Sequence, residues 1–197
     1  IKLSKKQMEE CYVYLPENIA CIASCKDFKH VRKIGRMGVG CQNIDSFSMA
    51  QLQYEHFGHI FSNKEEKNVL VLNFANPVNP GGGVRRGAHA QEEDLCRKSS
   101  LLFSLESHPA QEYYEYNRSL HTYLGSDAII LTPNVEIIMD VDGNLLDESV
   151  IVSVMTCAAP MITYGIEGLS EEEYQEMFYK RICGMLKCAA YLSLIHI

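Results

Sequence analysis

Apolar and polar residues alternate along this chain in blocks that read in turn as strands and helices. Val69 to Leu72 is an uninterrupted apolar run, the pattern of a strand buried on both faces. It gives way to Asn76-Pro77, Asn79-Pro80 and three consecutive glycines, Gly81, Gly82 and Gly83, which mark the end of a strand and a loop. Residues 88–107 read as a helix, with Leu95, Leu101, Leu102 and Leu105 set among charges. Residues 110–123, rich in tyrosine, read as a helix or an ordered loop. Ala128 to Leu131 and Val135 to Met139 read as two strands. The turn residues Asp142, Gly143 and Asn144 make Val135 to Leu146 a hairpin, and Val150 to Met155 is a further buried strand. Tyr174, Met177, Phe178, Ile182, Met185, Leu186, Ala189 and Ala190 then mark one face of a long helix, opened by a capping box of Ser170 and Glu173.

Towards the amino end the pattern is weaker. Residues 1–42 mix short apolar stretches with turn residues, and Gly35 to Asn43 is punctuated by glycine and reads as loop. Residues 48–57 read as a short helix, with Ser48 and Gln51 as its capping box. Strands alternating with helices argue for an α/β sandwich, and the hairpin argues for a mixed rather than a purely parallel sheet. Internal repeats, low-complexity tracts and Pro- or Ser-rich linkers are absent from the sequence, and 197 residues suit one domain with its own core.

Composition narrows the function classes. Hydrophobic residues make up 47% and charged residues 22%, which is globular rather than disordered. A net charge of -7 argues against a duplex nucleic-acid binder, which presents a basic face, but not against a small anionic ligand held by backbone amides. No apolar run approaches the roughly 20 residues that span a bilayer. The opening IKLSKKQMEE is charged and polar, without the pattern of a signal peptide. The eight cysteines are scattered and form no CxxC pair or zinc-finger spacing, so reduced thiols in a cytoplasmic protein are expected.

The chemistry-bearing stretch is Asn73 to Glu93, NFANPVNPGGGVRRGAHAQEE. Three glycines let a backbone approach a ligand closely and present amides to it. In an open α/β sheet the ligand crevice lies at the carboxyl ends of the strands, where this loop falls. Asn76 and Asn79 beside it can bond hydroxyls. Gln91, Glu92 and Glu93 follow near the start of the next helix. Adjacent helical residues point about 100° apart. The two carboxylates therefore cannot flank one bond as a conventional glycosidase pair does, with carboxyls roughly 5 to 9 Å apart. If one does the chemistry, the other binds or orients. Taken alone, a Glu-Glu pair at a helix start is dipole-compatible surface.

A triple glycine followed after seven residues by Gln-Glu-Glu resembles the signature of the poly(ADP-ribose) glycohydrolases, and NPGGGVRRGAHAQEE is particularly similar to their microbial, bacterial-type branch. The resemblance extends more loosely from the Gly35 loop to the strand at Val150. It implies a macrodomain-like three-layer α/β/α sandwich with a mixed central sheet, and hydrolysis of ribose–ribose O-glycosidic bonds of poly(ADP-ribose) with release of ADP-ribose. It implies Glu93 as the catalytic acid and base, and Glu92 as its partner on the ribose hydroxyls. Gly81, Gly82 and Gly83 become the loop against ribose and diphosphate, Asn76 a ribose contact, and Asn79 and Gln91 weaker substrate contacts. The ligand is then ADP-ribose or poly(ADP-ribose) on modified macromolecules, with no metal, no cofactor, no membrane, no sequence-specific nucleic-acid binding, and a monomeric protein.

A single domain over 1–197 is expected, with an accessory region at 1–60 and the catalytic core at 61–197. A macrodomain has a second glycine-rich loop of the type GxGxFG. Nothing like it follows here, and the chain stops at YLSLIHI just past the long helix, so the carboxyl end of the core is expected to be truncated. Two alternatives follow: an ADP-ribose-binding module without turnover, against which the Glu92-Glu93 pair argues, and an inactive fragment. A nucleotide-dependent oxidoreductase ranks below both, because the loop is not GxGxxG.

Other candidates are read structurally. Arg85 and Arg86 are solvated loop arginines, and His89 is a solvent-facing loop histidine. His56 and His59 have no supporting ligand cluster. Tyr113, Tyr114 and Tyr116 pack under a loop rather than stack on adenine. Cys157 belongs to the core, and Asp140 and Asp142 to a turn.

Overall fold

The computed structural model describes residues 3–24, 40–60, 69–192 and 195–196. Five strands form one sheet in the order β1-β3-β4-β2-β5: β1 Tyr12–Tyr14, β2 Val69–Ala75, β3 Ile129–Met139, β4 Leu145–Ala158 and β5 Ile195–His196. β1 and β4 run antiparallel to β3, while β2 runs parallel to both β4 and β5. The sheet is therefore mixed, as the hairpin implies. β2 lies between two neighbours with helices over both faces, which is why its sequence is a continuous apolar run rather than an alternation.

Helices cover both faces. On one side α3 (Ser46–Ile60), α4 (Gln91–Lys98), α5 (Leu101–Leu105) and α6 (Gln111–Ser119) bury Phe47, Leu95, Leu101, Leu105, Tyr113 and Tyr114 against Val69, Val71, Ile130, Val152 and Val154. On the other, α2 (Pro16–Ser24) and α7 (Glu171–Tyr191) bury Ile19, Met185, Cys188 and Ala189 against Leu70, Ile129, Leu131, Met155 and Cys157. Each large apolar side chain so buried contributes about 2 kcal/mol. The result is a three-layer α/β/α sandwich. The short helix α1 (Lys5–Met8), β1 and α2 come from the amino-terminal stretch that patterning left vague, and α3 is the helix read at residues 48–57, longer at both ends. They supply an edge strand and part of both helical layers.

Several elements depart from the sequence reading. Asp45, not Ser48, caps α3: its Oδ1 accepts the Phe47 and Ser48 amides at 3.1 Å each, and its Oδ2 takes the Ser48 hydroxyl. Aspartate one turn upstream takes the amides first, which puts Ser48 inside the helix. The helix expected over 88–107 is split. Ser99 is extended and bridges to Ile137, and Ser100 exchanges bonds with Glu136, its N–H donating at 3.0 Å and its Oγ accepting at 2.9 Å. Two serines that bond the neighbouring strand break the helix between α4 and α5. The two strands expected at 128–139 are one, β3, with an irregularity between Thr132 and Val135 around Pro133, where proline cannot donate to the ladder. The hairpin and the Ser170–Glu173 capping box are as expected. On α7, Leu186 lies outside the buried face at 52% exposure. Of the Gly35 to Asn43 loop, residues 35–39 lie outside the described ones.

Candidate active site

β2 hands the chain to a loop at the carboxyl end of the sheet. Asn76 organises its first turn, its Oδ1 accepting the amides of Val78 at 3.0 Å and Asn79 at 2.9 Å. Gly81 and Gly82 follow with φ of +65° and +57°, a left-handed conformation that glycine adopts without steric cost. The space also demands glycine. A methyl on Gly82 would strike Oε1 of Glu93 and stand 2.9 Å from Oε2 of Glu92, and one on Gly83 would stand 2.8 Å from the Ala88 Cβ. The loop closes through a single 3-10 turn, Val84–Arg86, into α4.

The first turn of α4 carries three acidic residues and the last turn two basic ones, matching the helix dipole at both ends. Its first three side chains all bond main chain of β2 or of the loop. Gln91 accepts the Phe74 N–H at 3.0 Å through Oε1 and donates through Nε2 to the Leu72 carbonyl at 3.0 Å and the Ser46 hydroxyl at 3.1 Å. Glu92 accepts the Asn76 N–H at 2.7 Å through Oε2. Glu93 accepts the Gly83 N–H at 2.8 Å through Oε1 and the Ala90 N–H at 3.0 Å through Oε2. The two carboxylates leave the helix in different directions, yet both lie against Gly82, because the glycine loop folds back over the helix start.

Both glutamates are buried, with 3% and 7% of Glu92 and Glu93 exposed. Burial pushes the Glu92 carboxyl up to about 7. The nearby Glu93 adds to the rise, and backbone N–H groups of Asn76 and Gly81 oppose it. Near neutral pH Glu92 is therefore poised between carboxylate and acid, able to accept or donate to a hydroxyl. Its Oε1 is buried without a hydrogen-bond partner, as are Asn73 Oδ1 and the hydroxyls of Tyr113 and Tyr114.

Asn76, Gly81, Gly82, Gly83, Glu92 and Glu93 thus come together, and Asn79 is held at the loop rim by Asn76. Gln91 stands beside them with its amide turned to β2. Arg85 is exposed, as its reading as a solvated arginine has it, and at the surface its guanidinium meets Glu106 with contacts of 2.7 and 2.8 Å, because α5 brings a carboxylate within reach. His89 is exposed and its Nδ1 meets the Arg97 guanidinium at 3.2 Å, while Arg97 also donates to the Ala88 carbonyl at 2.7 Å and so ties the loop to α4. Tyr113 and Tyr114 are fully buried and packed edge to face, and Cys157 is buried in the core. Asp140 anchors the hairpin turn through the amides of Asp142 and Asn144. Cys11, Cys21, Cys41, Cys96, Cys157, Cys183 and Cys188 are free thiols. Among the described residues, no group of three or more His, Cys, Asp or Glu side chains could hold a metal ion, and no helix is long and apolar enough to cross a membrane.

Two features escaped the sequence reading. Asn73 sits inside the apolar β2 run and donates to Thr156 Oγ1 on β4 at 3.1 Å. Arg181 of α7 is buried, paired with Asp127 at 2.9 Å, and donates to the carbonyls of Leu124, Gly125 and Ala158 at 2.8, 3.1 and 3.1 Å. It thereby pins the carboxyl end of β4. Each is betrayed by one sign, a lone polar residue on an otherwise apolar face.

Residues 19–140, well over half of the chain, match the family profile described as microbial-type PARG, catalytic domain. The chain belongs to the microbial-type poly(ADP-ribose) glycohydrolases. It is accordingly a glycosyl hydrolase. Solved structures agree. The chain is 30% identical to the poly(ADP-ribose) glycohydrolase of Deinococcus radiodurans, solved in complex with ADP-ribose, with a TM-score of 0.81 over 100% of this chain and 75% of that one. It is 26% identical to the poly(ADP-ribose) glycohydrolase of Thermomonospora curvata bound to the inhibitor ADP-HPD, with a TM-score of 0.77 over 96% of this chain and 63% of that one. No curated protein sequence matches the chain. The glycohydrolase signature, triple glycine and Gln-Glu-Glu, lies inside the matched residues.

Proposed function

We propose that the chain hydrolyses the ribose–ribose O-glycosidic bonds of poly(ADP-ribose) and releases ADP-ribose, with Glu93 as the residue that moves the proton. The observation that carries the assignment is the placing of Glu93. Its carboxyl is fixed by the Gly83 and Ala90 amides at the fold-back of the glycine loop, at the carboxyl end of a central strand. Ligand crevices of open α/β sheets open there.

Glu93 protonates the leaving ribose oxygen as the neighbouring ribose takes on oxocarbenium character, and its carboxylate then draws a proton from the attacking water. Glu92, fixed by the Asn76 amide and with a carboxyl near 7, bonds ribose hydroxyls and orients the sugar. Gly81, Gly82 and Gly83 let ribose and diphosphate approach main chain, where a Cβ would collide with Leu102 of α5 at Gly81, with the two glutamates at Gly82 and with Ala88 of the loop at Gly83. Asn76 and Asn79 bound the ribose side of the crevice. The ligand is ADP-ribose, free or polymerised on a modified macromolecule, and the protein works as a monomer without sequence-specific nucleic-acid contacts.

The test is Glu93→Gln. Release of ADP-ribose from poly(ADP-ribose) should fall by roughly a thousandfold or more, while calorimetric affinity for ADP-ribose stays within a few-fold. Turnover that survives the substitution removes Glu93 from the chemistry.

A further inference from the structure

Arg97 of α4 takes no part in the chemistry assigned to the glutamates, yet its guanidinium meets the middle of the loop that carries the site. Residues 85–90, between the glycine loop and α4, are exposed, so no core packing among the described residues places them. Side-chain bonds do so instead. Arg85 fastens the start of the stretch to Glu106. Glu93 takes the Gly83 amide at 2.8 Å and the Ala90 amide at 3.0 Å, so one carboxylate holds the loop at both ends. Between those points Arg97 donates from Nη1 to the Ala88 carbonyl at 2.7 Å, and its Nη2 meets His89 Nδ1 at 3.2 Å.

Helical side chains lean towards the amino end of their helix, which lets Arg97, in the last turn of α4, reach back to residues that precede the first. Glu93 lies four residues before Arg97, on the same face and in the order that favours an ion pair. Both groups turn to loop backbone, the carboxylate to amides and the guanidinium to a carbonyl. The Ala88 N–H in turn donates to the Gly83 carbonyl at 3.2 Å, and the Ala88 Cβ stands 2.8 Å from where a methyl on Gly83 would lie. A closed ring results, from Arg97 to Ala88, to Gly83, to Glu93 and back along one turn of α4.

We propose that Arg97 is a positioning residue: its hold on Ala88 keeps Gly83, and with it the Glu93 carboxyl, in place while Glu93 is the protonated acid. A carboxylate accepts both amides, but a carboxylic acid has turned one oxygen into a hydroxyl donor and holds the loop less firmly. Glu93 passes between the two forms in every turnover. The guanidinium stays charged throughout, and its 2.7 Å bond to Ala88 is of the short, charge-assisted kind. Displacement of catalytic groups by about 1 Å costs on the order of a hundredfold in rate. The consequence for turnover rests on the glycohydrolase reading above; the hold on the loop does not.

Arg97→Ala, Arg97→Lys and His89→Ala in the full chain, with Arg97→Ala also combined with Glu93→Gln, test the proposal. Amide exchange at Ala88 should quicken several-fold in Arg97→Ala. The factor should be larger in the Glu93→Gln background, where the side-chain amide can accept from only one of the two loop amides. In Arg97→Ala kcat should fall by roughly tenfold, with KM and the ADP-ribose dissociation constant within about twofold of wild type. Arg97→Lys, whose ammonium still donates to Ala88, should recover most of that kcat, which guards against misfolding of the alanine variant. His89→Ala should lose at most about twofold in kcat, because the Ala88 bond survives it. An affinity loss that accounts for the whole drop in kcat/KM, with Ala88 exchange unchanged, would make Arg97 a substrate contact and overturn the proposal. An unchanged kcat would overturn it too, as would one exchange factor common to both backgrounds. If wild type itself proves inactive, the glycohydrolase reading fails, and Ala88 exchange still decides whether Arg97 holds the loop.

Discussion

In the turn between β3 and β4, Asp140 Oδ1 accepts the amides of Asp142 at 2.9 Å and Asn144 at 2.8 Å. In the loop after β2, Glu92 and Glu93 accept the amides of Asn76, Gly83 and Ala90 at 2.7 to 3.0 Å. The device is the same, a carboxylate holding loop amides, and a left-handed glycine completes each loop. The settings are opposite. Asp140 and the amides it holds belong to one solvent-exposed turn, where the Asn144 side chain and the backbone amides hold its carboxyl below 3.8. Glu92 reaches its loop from a separate helix across a buried contact, where desolvation outweighs the amides and lifts the carboxyl to about 7. Similar amide bonding accompanies an anchoring anion at the surface, where the Asn144 side chain adds a donor, and a proton-exchanging group in the interior. The deciding variable is access to water.

The largest break in this comparison is Gly82→Ala, set against Gly143→Ala. Both positions are left-handed, at φ of +57° and +84°, so both substitutions carry backbone strain of about 1 to 2 kcal/mol. Only at Gly82 does the added methyl also strike both glutamates; at Gly143 nothing lies within 4 Å. Gly82→Ala should lower kcat/KM by roughly a hundredfold or more and destabilise by on the order of 2 to 4 kcal/mol. Gly143→Ala should show the strain alone, with turnover unchanged. Equal losses of turnover in the two variants would break the link between the glycine loop and the glutamates.

A smaller effect sharpens the electrostatic half. A carboxyl raised from 4.5 to about 7 binds its proton more tightly in the folded state, so ionisation opposes folding. Stability contributed by Glu92 is fully present below pH 4.5, is lost as pH rises towards 7, and stays lost above it. The change corresponds to on the order of 3 kcal/mol. Urea midpoints from pH 4 to 8 should show Glu92→Gln gaining on wild type across that window and level thereafter. A gap that does not vary with pH would mean that water reaches the carboxyl. Smallest of all is Asp140→Asn. With Asp140 the sign reverses: its stabilisation exists above pH 3.8 and fades as pH falls below it. Urea midpoints should therefore separate the variant from wild type slightly at pH 7, less at pH 3, and turnover should not change.

The two regions also differ in how far the sequence disclosed them. The Asp-Gly-Asn turn was legible because all its bonds lie within five residues of chain. The cluster around Gly82 was legible only through its signature spacing. Reasoning from helix geometry alone had the two glutamates diverging, and did not show that one glycine would lie against both. The break at Ser99 and Ser100 escaped because their partners, Ile137 and Glu136, lie over thirty residues away, and helix patterning contains no information about a strand that pairs from outside. Arg181 escaped for the same reason: Asp127, Leu124 and Ala158 assemble around it only when α7 docks on the sheet.

By itself the sequence determined the elements whose causes are local. These are the apolar run of β2, the proline- and glycine-rich exit from it, the Ser170 cap of α7, and the order of strands and helices that makes a mixed-sheet sandwich. It also determined the family, because the spacing of triple glycine to Gln-Glu-Glu is itself a local property. Tertiary structure decided what those residues are worth chemically. Burial of Glu92 sets its proton affinity, the folded-back loop brings Glu92 and Glu93 to one glycine, and the packing of the α4 start on β2 gives Gln91 its partners. Each depends on desolvation or on contacts between elements distant in sequence, and neither exists until the layers have packed.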